Sequence, residues 1–272
     1  VNAPKAEVKD EPKLLSGSLF GGVRLQITTR ERALKVLCER LQFVARSPQD
    51  ITLHADCPIT LKLAGTKVQA AGLEGTTKTG KYSLKGPVLL ETRTQDGRQV
   101  KIKAKEALID TADRMVVLVE MHDVEGGIEG AGFAAGMVAA RLEEGKLISL
   151  LAAKGVTFTK DQFKLTAKGL RWLKGRGDFI GSVHIKGEAL DLNAESVTLL
   201  LQGEKVLVKA TGGLKGHIEQ WQVKAPAAEC ILATRPKAQL ERTEICDVDM
   251  RRADGLSVRG ERVVVRGQRI SG

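Results

Sequence analysis

The sequence predicts an all-β protein. Three observations carry that reading: a recurring pattern of alternating apolar residues, turn residues at short and even intervals, and a nearly aromatic-free apolar content. Of the 272 residues, 42% are hydrophobic but only 3% are aromatic, so any core is built from Val, Leu, Ile and Ala. Branched aliphatic residues favour a half-buried pleated surface.

The repeat has a fixed form. A branched apolar residue is followed at +2 by a small residue, at +5 by an apolar residue and at +7 by another. Val36-x-Cys38-x-x-Leu41-x-Phe43 fits it, as do Ile102-x-Ala104-x-x-Ala107-x-Ile109 and Leu165-x-Ala167-x-x-Leu170-x-Trp172. Leu192-x-Ala194-x-x-Val197-x-Leu199, Val223-x-Ala225-x-x-Ala228-x-Cys230 and Val258-x-Gly260-x-x-Val263-x-Val265 complete the clear set. Val68-x-Ala70-x-x-Leu73 and Ile128-x-Gly130-x-x-Phe133 are weaker copies. Positions two apart share one face of a strand. The step of three between the second and third positions then reads as an extra residue, a bulge where the sheet bends. Polar residues between them, such as Lys103, Lys105, Asn193 and Glu195, complete an apolar-in, polar-out antiparallel pattern.

A second series of strands lies between the copies, opened by Gly: Gly86-Pro87-Val88, Gly155-Val156-Thr157-Phe158 and Gly181-Ser182-Val183-His184-Ile185. Turn signals at Gln95-Asp96-Gly97, Glu144-Gly145-Lys146, Gln202-Gly203-Glu204 and Ala253-Asp254-Gly255 separate the runs. Pairing each copy with one strand of the second series gives about 16 short strands. Two segments, residues 30–46 and 130–144, fit either a strand or a helix. Residues 1–27 carry Pro, Lys, Glu and Gly without a period and read as a flexible arm or linker. Residues 28–272 read as one elongated domain, or as two fused units.

Chemistry is sparse. His54, His122, His184 and His217 stand apart, and His122-Asp123 is the single adjacent His–carboxylate pair. No nucleophile elbow, zinc-protease motif, P-loop or dinucleotide fingerprint occurs. The chain is therefore read as non-enzymatic, with no metal and no cofactor. Cys38, Cys57, Cys230 and Cys246 fall as two close pairs, each able to bracket a hairpin. They read either as two disulfides in an oxidising compartment or as four small buried hydrophobes. The net charge of +10 suits an anionic partner or simple solubility. Nucleic acid is disfavoured, because no basic stripe interleaves with aromatic residues for base stacking.

The segment Gly86-Pro87-Val88-Leu89-Leu90, through Asp96-Gly97-Arg98-Gln99-Val100, to Ile102-Lys103-Ala104-Lys105-Glu106-Ala107 resembles the OstA-like proteins of lipopolysaccharide transport, the LptA/LptC family. Asp191-Leu192-Asn193-Ala194-Glu195-Ser196-Val197 resembles the same recurrent strand, and the likeness runs from about Leu34 to Ile270. The resemblance implies a V-shaped antiparallel β-jelly roll, or β-taco, whose apolar groove holds lipid acyl chains. It implies a place in the periplasm in Gram-negative outer-membrane biogenesis, either as a soluble bridge or anchored to the inner membrane by a segment absent from this chain. It implies partners as well: lipopolysaccharide or another anionic lipid, other transport subunits joined by edge-strand pairing, and head-to-tail copies of the chain.

On that reading the groove is lined by Ile102, Ala104, Ile109, Leu165, Ala167, Leu170, Leu192, Ala194, Val197, Val223, Ala225, Val258 and Val263. Lys103, Lys105, Lys164, Lys168, Lys209 and Lys224 would meet lipid phosphates at its rim or serve solubility. The rival expectation is a β-solenoid scaffold or filament protein with a dry core. A surface adhesin or polysaccharide-binding sandwich is a weaker third.

Overall fold

A computed structural model describes residues 5–11, 14–28, 33–47, 49–63, 65–112, 116–128, 131–160, 162–188, 190–202, 205–233, 239–266 and 269–271. Twenty strands and no helix occur among them. The fold is all-β, as the sequence predicts. Apart from one short parallel contact, the strand pairs registered below are antiparallel. The chain divides into two compact units, one formed by Val1–Glu129 with Met137–Leu150, the other by Gly130–Gly136 with Leu151–Gly272. The division falls inside residues 28–272, the span read above as one elongated domain or two fused units.

The first unit holds β1 (Lys5–Glu11), β2 (Leu14–Thr28), β3 (Ala33–Ser47), β4 (Asp50–Ala55), β5 (Ile59–Leu63), β6 (Thr66–Ala70), β7 (Gly72–Thr76), β8 (Lys81–Thr94), β9 (Gln99–Asp110) and β10 (Val116–Ile128). β11 (Ala131–Glu143) and β12 (Lys146–Lys160) each contribute residues to both units. The second unit continues with β13 (Phe163–Leu173), β14 (Arg176–Lys186), β15 (Leu190–Gln202), β16 (Lys205–Ile218), β17 (Trp221–Ala233), β18 (Gln239–Arg252), β19 (Ser257–Arg266) and β20 (Arg269–Ser271).

Residues 5–11 and 14–27 are not a linker. β1 pairs with β2 from Lys5–Phe20 to Glu11–Leu14, and β2 pairs with β3 from Leu15–Ala45 to Thr28–Ala33. Leu19 and Val23 are buried there. The Gly pair and the charges of β1 masked a strand pattern. The two ambiguous segments, 30–46 and 130–144, are strands over 33–46 and 131–143, with Glu144 opening a turn. β-Branched and small side chains, and Gly132 and Gly136, disfavour a helix there.

In the first unit β8 and β9 pair from Lys81–Asp110 to Arg93–Gln99, and β9 pairs with β10. Two short strands in line, β4 and β5, face β3, and β6 and β7 likewise face β8. Lys146 and Leu147 run parallel to Arg93 and Thr94. Thr66 and Thr92, both buried, put their hydroxyls 3.0 and 2.9 Å from the Gly145 carbonyl and 3.0 Å from each other, which seats the Glu144–Gly145 turn. In the second unit β13 to β19 form a meander in which each strand pairs with the next.

Every copy of the repeat that lies within one strand falls on β3, β9, β13, β15, β17 or β19. The bulge predicted from its step of three lies on the partner strand instead. Gly21 and Gly22 face Glu39; Gly86 and Pro87 face Lys105; Gly181 and Ser182 face Glu195; Gly212 and Gly213 face Pro226. Two residues on one strand oppose one on the other. The partner strands accordingly step by four between buried positions: Leu19 to Val23, Leu84 to Val88, Ala152 to Val156, Phe179 to Val183 and Ala210 to Leu214.

The backbone explains the extra residue. Four of these strands carry two successive left-handed residues at the bend: Gly21–Gly22, Lys154–Gly155, Gly181–Ser182 and Gly212–Gly213. Where a strand carries one left-handed residue, Asp123 in β10 or Asp247 in β18, the step is three and the register with the neighbouring strands is unshifted. The Gly runs at 86, 155 and 181 thus lie inside strands and do not open them. The weak copy at 128–133 is also moved: β11 buries Phe133, Ala135, Val138 and Ala140 in the repeat's own spacing.

Candidate functional site

The inward positions form apolar rows that run across the strands. In the second unit Phe179 pairs with Val197, Val197 with Ala210, Ala210 with Ala228, Ala228 with Ile245 and Ile245 with Val263. All six are between 0% and 4% exposed. At ~4.8 Å per strand the row is about 24 Å long. Ile185, Leu192, Val223 and Met250 are buried on the same strands, one on each of β14, β15, β17 and β18. In the first unit Ile109 pairs with Tyr82 and Val119, and Ile102 with Leu90 and Gly126. Burial in this apolar setting pushes the Tyr82 hydroxyl up to about 12. Phe158 meets Phe179 edge-on, with ring centroids 5.9 Å apart.

Twelve of the thirteen predicted lining residues are buried: Ile102, Ala104, Ile109, Leu165, Ala167, Leu170, Leu192, Ala194, Val197, Val223, Ala225 and Val263. Val258, near the start of β19, is half-buried. The seven from Leu165 to Val223 by chain order share one face of β13, β15 and β17 with Ala225. Their low exposure means that the inner face is closed to water in this state.

The six lysines are all exposed. Lys209 lies 3.7 Å from Glu229, and Lys103, Lys164 and Lys224 alternate with buried neighbours, so they project away from the apolar row. These four lie on the face opposite the apolar row, in solvent.

A second concavity lies on the outward face of β14 to β17. It has a volume of about 600 Å³ and is walled by Ile180, Leu200 and Leu207 with Ser196, Thr198 and Thr211 between them. Its polar groups satisfy one another: Thr198 donates to Asp178 at 2.7 Å, Ser196 and Thr211 share a hydrogen bond at 2.7 Å, and Arg176 holds Asp178 at 2.8 Å. The sequence reading missed this face because its residues are the outward half of each alternation, where Ile180, Leu200 and Leu207 stand among polar neighbours.

His217 stands opposite Asp191 in the β15–β16 register, but no cluster of three or more His, Cys, Asp or Glu able to hold a metal occurs among the described residues. His122 and Asp123 flank the bend of β10, and Asp123 is left-handed. The His–carboxylate contact that does form was not predicted. His184 Nε2 lies 2.7 Å from Asp191 Oδ1 across the β14–β15 hairpin and holds that carboxyl below its ordinary value.

All four cysteines are free thiols. Cys230 faces Thr243 on the buried side, whereas Cys246 faces Ala227 and is exposed. The sheet lies between them, so the Cys230–Cys246 disulfide is excluded. Cys38 and Cys57 are brought together.

No family model matches the chain, and no curated protein matches it either.

Proposed function

We propose that this protein carries lipid, sheltering acyl chains of lipopolysaccharide or another anionic lipid against its apolar inner face as a bridge or adaptor between the two membranes of a Gram-negative envelope. The observation that supports the reading is the unbroken apolar row Phe179–Val197–Ala210–Ala228–Ile245–Val263, which runs across the strands as an acyl chain would. Each sheltered methylene contributes about 0.8 kcal/mol. The likeness of residues 86–107 and 191–197 to OstA-like proteins agrees with it. In such a carrier the inner face must part, because its residues are closed to water at rest.

That same closure favours a second reading, a structural scaffold whose rows are simply a packed core. The two are separated by a photo-crosslinking residue placed at Ala228, with one at the outward Glu229 as control, in protein exposed to lipopolysaccharide. A lipid adduct at 228 and none at 229, with lipid in the native mass spectrum, supports the carrier. Folded protein that takes up no lipid at either position, and purifies without any, leaves the scaffold.

A further inference from the structure

The ladder along one edge of β3 breaks where the chain crosses from β4 to β5. Gln42 pairs with His54 on one side and Cys38 with Ile59 on the other, and Asp56, Cys57 and Pro58 cross between them. Side chains replace the missing backbone pairs. Cys57 Sγ donates to the Arg40 carbonyl at 3.3 Å, and the Arg40 guanidinium grips both oxygens of Asp56 at 2.7 and 2.6 Å. Cys38 occupies the small position of the repeat and is buried just inside this crossing. The register sets Cys38 opposite Ile59, two residues beyond Cys57, so the two cysteines are diagonal neighbours at the crossing, near enough for Cys57 to help raise the Cys38 thiol.

We infer that Cys38 and Cys57 form a redox latch, a dithiol that closes to a disulfide by exchange with an oxidised low-molecular-weight or protein disulfide and locks the β4–β5 crossing onto β3. The steps balance. Half-buried Cys57 loses its proton to solvent, and its thiolate attacks the oxidant's disulfide. A mixed disulfide forms and one oxidant thiolate leaves. Cys38 then loses its proton and attacks the Cys57 sulfur, expelling the second oxidant thiolate. Two protein thiols are oxidised, one external disulfide is reduced, and the two protons go to the released thiolates. Cys57 is the entry point because it is the more exposed of the two.

Burial and the neighbouring Cys57 raise the Cys38 thiol to about 11. Once Cys57 is held in the mixed disulfide the contribution of burial remains, so the closing step is held back near neutrality and speeds up as pH rises. Cys230 and Cys246, on opposite faces of the sheet, are a built-in control. The latch does not depend on the lipid reading.

The test is to equilibrate the whole native chain with oxidised glutathione, alkylate the remaining thiols and map the peptides by mass. The expected result is a peptide pair joined through Cys38 and Cys57, lighter by two hydrogens, in wild type and in C230S and C246S. In C57S the joined pair is absent. In C38S, glutathione stays on Cys57. Should C38S not fold, wild type and C57S suffice, since Cys57 is not a core residue. Four alkylated cysteines in the native wild type, or glutathione held permanently on its Cys57, would overturn the inference.

Discussion

Gly86 runs so close beneath Lys105 that a β-carbon built on it would fall 1.6 Å from the Lys105 carbonyl oxygen. The two face each other at the β8–β9 bulge, where the strand backbones meet with no room for a side chain. Gly86→Ala must move the backbone of one strand, and the expected cost is at least about 3 kcal/mol. Gly213 is the contrast. It sits in the left-handed region at φ +75°, with nothing within 4 Å of an added β-carbon. Gly213→Ala should lose only about 1 kcal/mol, the conformational term alone. Urea denaturation of both variants checks the order, and equal losses would show that the bulge does not constrain β8.

Ile102 is fully buried whereas Val258 is half-buried. Ile102→Ala should cost about 2–5 kcal/mol by cavity formation, and Val258→Ala under about 1 kcal/mol. Equilibrium unfolding measures both. A small loss at Ile102 would mean that its row is already loosely packed, as a groove open at rest would be.

How much of this was legible in the sequence depends on which strand of a pair is read. The step of three in Leu192-x-Ala194-x-x-Val197 marks a strand on its own, because its apolar positions are aliphatic and regularly spaced. The partner's step of four, Phe179 to Val183 across Gly181–Ser182, looks like a break followed by a new strand. Left-handed backbone makes it one strand. The same signal, Leu19 to Val23 across Gly21–Gly22, lay unread in the supposed arm. The lysines were harder. Alternation says that Lys209 points outward, but not that Glu229 waits on the next strand. The Cys38–Cys57 contact was half legible: the sequence offered two cysteine pairs on equal terms, and only register separates them.

Thr66 and Thr92 share the Gly145 carbonyl as acceptor. Thr92→Val should cost about 1 kcal/mol, since Thr66 still donates to that oxygen. The double variant should cost more than the sum of the two singles, because the carbonyl then loses its last hydroxyl donor. A double-mutant cycle in urea reads the coupling. Strict additivity would mean that water replaces the hydroxyls freely.

Arg252 lies over the Trp221 ring, 5.7 Å from its centroid, and also grips Asp254. That grip, with the Leu256 amide, holds the Asp254 carboxyl at about 2 instead of 3.8. The folded state thus binds its proton later than the unfolded chain does. The contribution is whole above 3.8 and disappears as pH falls through about 2. Asp254→Asn should flatten the acid dependence of stability in that window and leave neutral pH with a constant offset. Trp fluorescence during acid titration follows both. An unchanged slope in Asp254→Asn would show that the pair is screened away.

From β12 to β17 the steps of four and three alternate strand by strand, so this stretch is written in couplets. Excising one couplet, Arg176–Gln202, would set β13 against β16, still a three against a four. Excising β15 alone would set two fours side by side, and like steps need no bulge: the threes of β17, β18 and β19 already pair across the bend without a shift. Each bulge in this stretch therefore records a meeting of unlike steps, and removing one strand would erase two bulges while the inward face stays in phase.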